Sequence, residues 1–117
     1  MLKIKEDKMK DLEKFGFKLK FNNIIHTAYY VRPVDFEAAK LFLKDKTIEG
    51  NRQILENNDV VAIVTEKYNP CLDRYVFIIK KERCKDLEYP FSEINEEYIQ
   101  DLIKADMVEK VGEDERD

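Results

Sequence analysis

The sequence predicts an α+β domain, a mostly antiparallel sheet of three to five strands packed with about three helices. Three observations lead to it. Four short segments carry strand signatures: the alternation of "FKLKF" (Phe17–Phe21), and the β-branched and aromatic runs "IIHTAYYV" (Ile24–Val31), "DVVAIVT" (Asp59–Thr65) and "RYVFIIKK" (Arg74–Lys81). Three other segments place apolar residues at helical spacing beside capping residues. With 3 Gly, 3 Pro and no repeat, low-complexity block or linker in 117 residues, nothing divides the chain.

The first helix is expected over Glu6–Phe15. There Met9, Leu12 and Phe15 recur every three residues, Glu6 and Asp7 favour the first turn, and Gly16 stands where a left-handed cap belongs. Phe17–Phe21 follows as a half-buried strand and Asn22-Asn23 as a turn. Ile24–Val31 is a strand apolar or aromatic on both faces, stopped by Pro33. "DFEAAKLFLKDK" (Asp35–Lys46) reads as a helix capped by Asp35, with Phe36, Ala38, Ala39, Phe42 and Leu43 in one wide apolar stripe. Thr47–Asn51 is a turn, and Arg52–Leu55 carries no clear signal. The strands Asp59–Thr65 and Arg74–Lys81 are separated by the breaker Tyr68–Pro70.

The closing helix is expected from Ser92, as N-cap, to about Ala105. On its wheel Ile94, Tyr98, Ile99, Leu102, Ile103 and Ala105 fill one half, and Glu93, Glu96, Glu97, Gln100, Asp101 and Lys104 the other. Met107–Val111 then forms a short edge strand. Residues 1–111 are expected to be one domain and residues 112–117 a disordered acidic tail. Strands apolar on both faces call for helices on each side or a homodimer contact.

The net charge of −4 is unevenly spread. Residues 1–20 hold seven Lys and four acids, residues 21–85 eleven basic and nine acidic side chains, and residues 86–117 three basic and twelve acidic. Such asymmetry bears on partners and association rates. The two cysteines, Cys71 and Cys84, are too few for a zinc cluster and are expected to be reduced thiols of a cytosolic protein. No apolar run suits a secretion leader or a bilayer span, so the expected location is cytoplasmic, with no membrane partner.

Most catalytic templates lack their residues. The one serine, Ser92, is placed to cap a helix, and the one histidine, His26, lies within a strand with no Cys or Ser nearby in sequence. Gly16, Gly50 and Gly112 are isolated, which removes a glycine-rich phosphate loop, and no stretch has the pattern of a calcium loop. The expectation is a non-enzyme without cofactor or metal.

Two candidate surfaces remain. Glu93, Glu96 and Glu97 in the first turn of the closing helix are each favoured by about 0.3–1 kcal/mol by its N-terminus, which accounts for them without a partner. Asp101 has no such account. It repels Glu97 at i, i+4, so reversing it to Lys is expected to be neutral or mildly stabilising. As a binding surface, Glu93, Glu96, Glu97 and Asp101 imitate a phosphate backbone and dock in a basic groove; as a solvated face they need no partner. The alternative surface is a nucleic-acid site built on Tyr29, Tyr30, Arg32, Tyr75 and Phe77 with Lys80, Lys81, Arg83 and Lys85. The acidity of the whole chain weighs against it.

The two ends carry a resemblance. "KIKEDKMKDLEKFGFK" (Lys3–Lys18) and "DLIKADMVEKV" (Asp101–Val111), 27 of the 117 residues, resemble small proteins carried by phages and mobile elements of low-GC Gram-positive bacteria. In those proteins a Lys-rich helix ending in a Gly-Phe turn opens the chain and a helix leading to a strand closes it. These motifs are structural and carry no catalytic residue across. The resemblance implies a setting: small acidic proteins of this kind bind and block host factors, CRISPR effectors and other defence enzymes among them. The expected function is therefore a protein-binding module of phage or mobile-element type. It would inhibit a nucleic-acid-handling or defence enzyme in the host cytoplasm, as an anti-CRISPR protein does, through an acidic surface.

Overall fold

The computed structural model describes residues 2–23, 27–43, 55, 61–66, 74–80, 91–93 and 96–110. Expectations for His26, Thr47–Asn51, Tyr68–Pro70, the two cysteines, Lys81, Arg83, Lys85 and the acidic tail lie outside these residues.

The chain runs β1 (Leu2–Ile4), a 3-10 helix (Glu6–Phe15), β2 (Lys18–Asn22), β3 (Thr27–Pro33), α1 (Phe36–Phe42), β4 (Val61–Glu66), β5 (Tyr75–Lys80), β6 (Phe91–Glu93), a 3-10 turn (Glu96–Ile99), α2 (Gln100–Lys104) and β7 (Val108–Lys110). The strands form one antiparallel sheet in the order β2-β3-β5-β4-β1-β7, with β6 also on β4. The fold is α+β, as the sequence indicates. The sheet reaches seven strands because two three-residue strands share one side of β4. β1 sets Lys3 against Ala62, and β6 takes Val64–Glu66 beyond it, so backbone groups along that side find partners.

That division corrects the start of the closing helix. Ser92 does not cap it; Ser92 pairs with Thr65 in β6, and the helical structure described is the 3-10 turn Glu96–Ile99 followed by α2. The apolar half of the wheel is otherwise seated as expected, with Ile99 and Leu102 fully buried and Tyr98 and Ile103 packed against the core, while Ala105 is exposed. In α1, the Asp35 carboxylate accepts the Glu37 N–H at 2.9 Å, as its capping position implies.

The first helix has the expected limits but 3-10 winding. Its apolar residues Met9, Leu12 and Phe15 are three apart, which matches three residues per turn better than 3.6. It closes with Gly16 at φ 90°, where the Gly16 N–H reaches Glu13 O and the Phe17 N–H reaches Leu12 O. α2 closes in the same way: Asp106 has φ 59°, its N–H reaches Ile103 O, and the Met107 N–H reaches Leu102 O. Both are Schellman closures, and the apolar residues that flank each, Leu12 and Phe17 at the first and Leu102 and Met107 at the second, are buried. The sequence writes the two alike, "DLEKFGF" and "DLIKADM". Each delivers the chain directly into a strand.

The core lies on the side of the sheet that these helices cover. Leu19, Ala28, Tyr30, Val76 and Ile78 from alternate positions of β2, β3 and β5 meet Leu12, Phe17, Leu55, Ile99, Leu102 and Met107. Each large apolar side chain so buried contributes about 1.5–3 kcal/mol. On the other side Tyr29 and Tyr75 pack on Phe77 with centroids 6.0 and 6.4 Å apart, Phe42 meets Tyr75 at 6.3 Å, and Lys18 and Lys20 lie over the Phe42 ring.

The charge asymmetry of the sequence is partly spent inside the fold. β1 and β7 pair Leu2–Ile4 with Val108–Lys110, which brings Lys3 to Glu109 at 3.3 Å and Lys5 to Asp106 at 2.8 Å. The hydrogen bond with Lys5 holds the Asp106 carboxyl below its ordinary 3.8 and raises the Lys5 ammonium above 10.5.

Two predictions follow from these contacts. A Cβ at Gly16 would sit 2.5 Å from the Ala39 Cβ, on a backbone that side chains rarely adopt. Gly16→Ala should therefore cost about 3 kcal/mol in urea unfolding, from left-handed strain and overpacking together; a loss below about 1 kcal/mol would contradict the contact. Asp106→Asn tolerates the same backbone and removes only the charge. A depressed carboxylate adds stability above its unfolded pKa and loses it as pH falls through the folded one. The deficit of Asp106→Asn should be full at neutral pH, shrink below about pH 4 and shrink in about 1 M salt.

Candidate functional site

The strand alternation that sends Ala28 and Tyr30 into the core sends Arg32 there too, and Arg32 is 1% exposed. A guanidinium without water needs acceptors and a counter-charge. Arg32 Nη1 donates to Asp101 Oδ2 at 2.6 Å and to Phe15 O at 2.6 Å. Nη2 donates to Asp101 Oδ1 at 2.7 Å and to Tyr98 O at 3.1 Å. The planar group lies 4.5 Å from the Phe17 ring centroid and 5.5 Å from that of Phe36, so aromatic faces cover it. Only Nε lacks an acceptor among the described residues. One side chain thus ties the end of the first helix, the start of α1, the 3-10 turn and α2 to β3.

This clasp redraws both candidate surfaces. Arg32, expected on a nucleic-acid surface, is paired inside the protein with Asp101, expected on the acidic one. Asp101 is therefore no free carboxylate of a helix face, and its reversal to Lys cannot be mild. Tyr30 is fully buried and also leaves the nucleic-acid surface. Tyr29 is half-buried against Phe77, and burial pushes its phenol above the ordinary 10.0. Lys80 ends β5 opposite Val61. Glu93 stands in β6 opposite Val64, away from any helix turn, whereas Glu96 and Glu97 are exposed at the start of the 3-10 turn. Of the four predicted carboxylates, two therefore share an exposed turn beside the anchored Asp101.

The sequence held a signal for the clasp. Arg32 is a lone charge at the end of an apolar strand, and Asp101 is the acid that helix electrostatics leaves unexplained. Their separation of 69 residues hides the pairing. Among the described residues, no group of three or more His, Cys, Asp or Glu side chains could hold a metal ion. No helix among them is long and apolar enough to cross a membrane. No protein-family model, curated protein or solved structure matches this chain.

Removing either partner would leave a desolvated charge behind. Arg32→Met and Asp101→Leu should each cost about 3–5 kcal/mol, and Asp101→Lys at least as much. The double variant Arg32→Met/Asp101→Leu should recover a large part of either single loss. Urea unfolding of the four proteins measures the coupling, and additive losses in the double variant would disprove the clasp.

Proposed function

We propose that the chain is a non-enzymatic protein-binding module whose C-terminal acidic surface docks on a basic surface of its partner. The observation that carries this reading is the acidity of the C-terminal quarter, in which Glu96 and Glu97 are exposed. Residues 86–117 hold twelve acidic and three basic side chains, and of the acids Asp101, Asp106 and Glu109 pair with Arg32, Lys5 and Lys3. Glu96 and Glu97 are exposed on a turn whose Tyr98 carbonyl is held by Arg32. A fixed array of carboxylates suits a groove that otherwise receives phosphates, because complementary potential steers encounter and fixes register. The partner class in this reading is therefore a nucleic-acid-handling enzyme. The resemblance of the two ends to phage and mobile-element proteins supports a host defence enzyme, such as a CRISPR effector, met in the host cytoplasm.

Affinity purification from a low-GC Gram-positive lysate at low salt should recover a basic protein. Glu96→Lys/Glu97→Lys should then slow its association about ten-fold or more and flatten the salt dependence. The two reversals should cost the chain only about 0.3–1 kcal/mol each. An unchanged association rate and salt slope in the folded double variant would remove the acidic surface from the function.

A further inference from the structure

Beside the acidic turn runs an open groove of about 480 Å³, within the range of sites that hold a small ligand or an anchoring side chain. Its lining is largely apolar and includes Pro33, Val34, Ala38, Tyr75 and Tyr98. The walls are fixed before anything binds. The Val34 N–H donates to Arg74 O at 2.7 Å and joins the end of β3 to the start of β5. The Tyr98 carbonyl is held by Arg32 Nη2 at 3.1 Å. A groove set by backbone hydrogen bonds and a buried ion pair spares its occupant the ordering cost of shaping it.

We infer that this groove is the anchor pocket of the docking surface, taking one apolar side chain from a basic segment of the partner protein. The inference rests on the acidic-docking reading and adds what the acids cannot supply. Exposed carboxylates set encounter rate and orientation, whereas residence is set by buried apolar contacts in a pre-formed pocket. The charge around the groove selects the segment. Its lining includes Asp35, and the 3-10 turn that supplies Tyr98 also carries the exposed Glu96 and Glu97. Arg74 is the one basic residue among the described residues of the lining. An apolar side chain flanked by Lys and Arg meets this arrangement with opposite charge, and one flanked by Glu meets it with like charge.

Three synthetic nonapeptides test the inference by fluorescence anisotropy with the full chain: one leucine flanked by Lys and Arg, the same peptide with serine for leucine, and the leucine peptide with Glu flanks. The basic leucine peptide should bind about ten-fold or more tightly than the serine version, as expected for burying one such side chain. Ala38 is exposed on α1, so Ala38→Phe fills the groove without burdening the core. It should abolish the advantage of leucine over serine and leave the serine peptide unaffected. Glu96→Lys/Glu97→Lys should weaken both basic peptides alike. Equal binding of the leucine and serine peptides, unmoved by Ala38→Phe, overturns the pocket and leaves acidic docking standing. Binding of neither basic peptide overturns both. Preferential binding of the Glu-flanked peptide, lost in Arg74→Ala, overturns the proposed occupant.

Discussion

A guanidinium carried into a protein interior loses its hydration and is tolerated only where charge and acceptors are returned to it in the right plane. Arg32 sets that requirement, and four parts of the chain meet it. Asp101 supplies both oxygens in a bidentate pair, the first helix and the 3-10 turn supply one carbonyl each, and Phe17 and Phe36 cover the faces. The carbonyls of Phe15 and Tyr98 gain a charged donor, and the helices gain a fixed place on the sheet. Packing alone would let such short helices slide; a fork with four directed hydrogen bonds does not.

The acidic C-terminal quarter has two parts with different fates. One part is internal currency, matched by basic residues of the first third through Arg32–Asp101, Lys5–Asp106 and Lys3–Glu109. The other is exposed where it is described, at Glu96 and Glu97. The internal part differs in kind from pair to pair. The Arg32 pair is buried on one side and resists salt, whereas the Asp106 carboxylate is 84% exposed, so its pair is readily screened. The Arg32 pair therefore holds under salt conditions that screen the exposed pairs.

Local chemistry made much of the fold legible. The three-residue spacing of Met9, Leu12 and Phe15, the glycine after them and the cap at Asp35 act over a few residues, and they gave both ends of the first helix and the start of α1, which ends at Phe42 rather than at the expected Lys46. β1 was legible in principle, since Leu2-Lys3-Ile4-Lys5 alternates as "FKLKF" does, but three residues are too few to stand out. Ser92 shows the opposite case. Its capping chemistry is sound locally, yet the unpaired half of β4 claims the same backbone for β6. For the site, Glu96 and Glu97 could be read as exposed acids from the wheel, whereas Arg32 and Asp101 were assigned to two different surfaces. Side chains 69 residues apart leave no local trace of pairing, beyond each being a charge its own neighbourhood does not explain.

The same separation has a temporal meaning during synthesis. At about 5–20 residues per second, a ribosome needs roughly 3 to 14 s to make the 69 residues between Arg32 and Asp101. Throughout that interval the first helix, β2 and β3 can assemble only around a cation with no counter-ion. One of the two strand partners of β1 emerges later still, since Lys3 pairs with Glu109 of β7 as well as with Ala62 of β4. A nascent chain therefore has no stable half-folded resting point: its N-terminal third stays hydrated, and open to chaperones and proteases, until the acidic segment arrives and the sheet closes in one cooperative step.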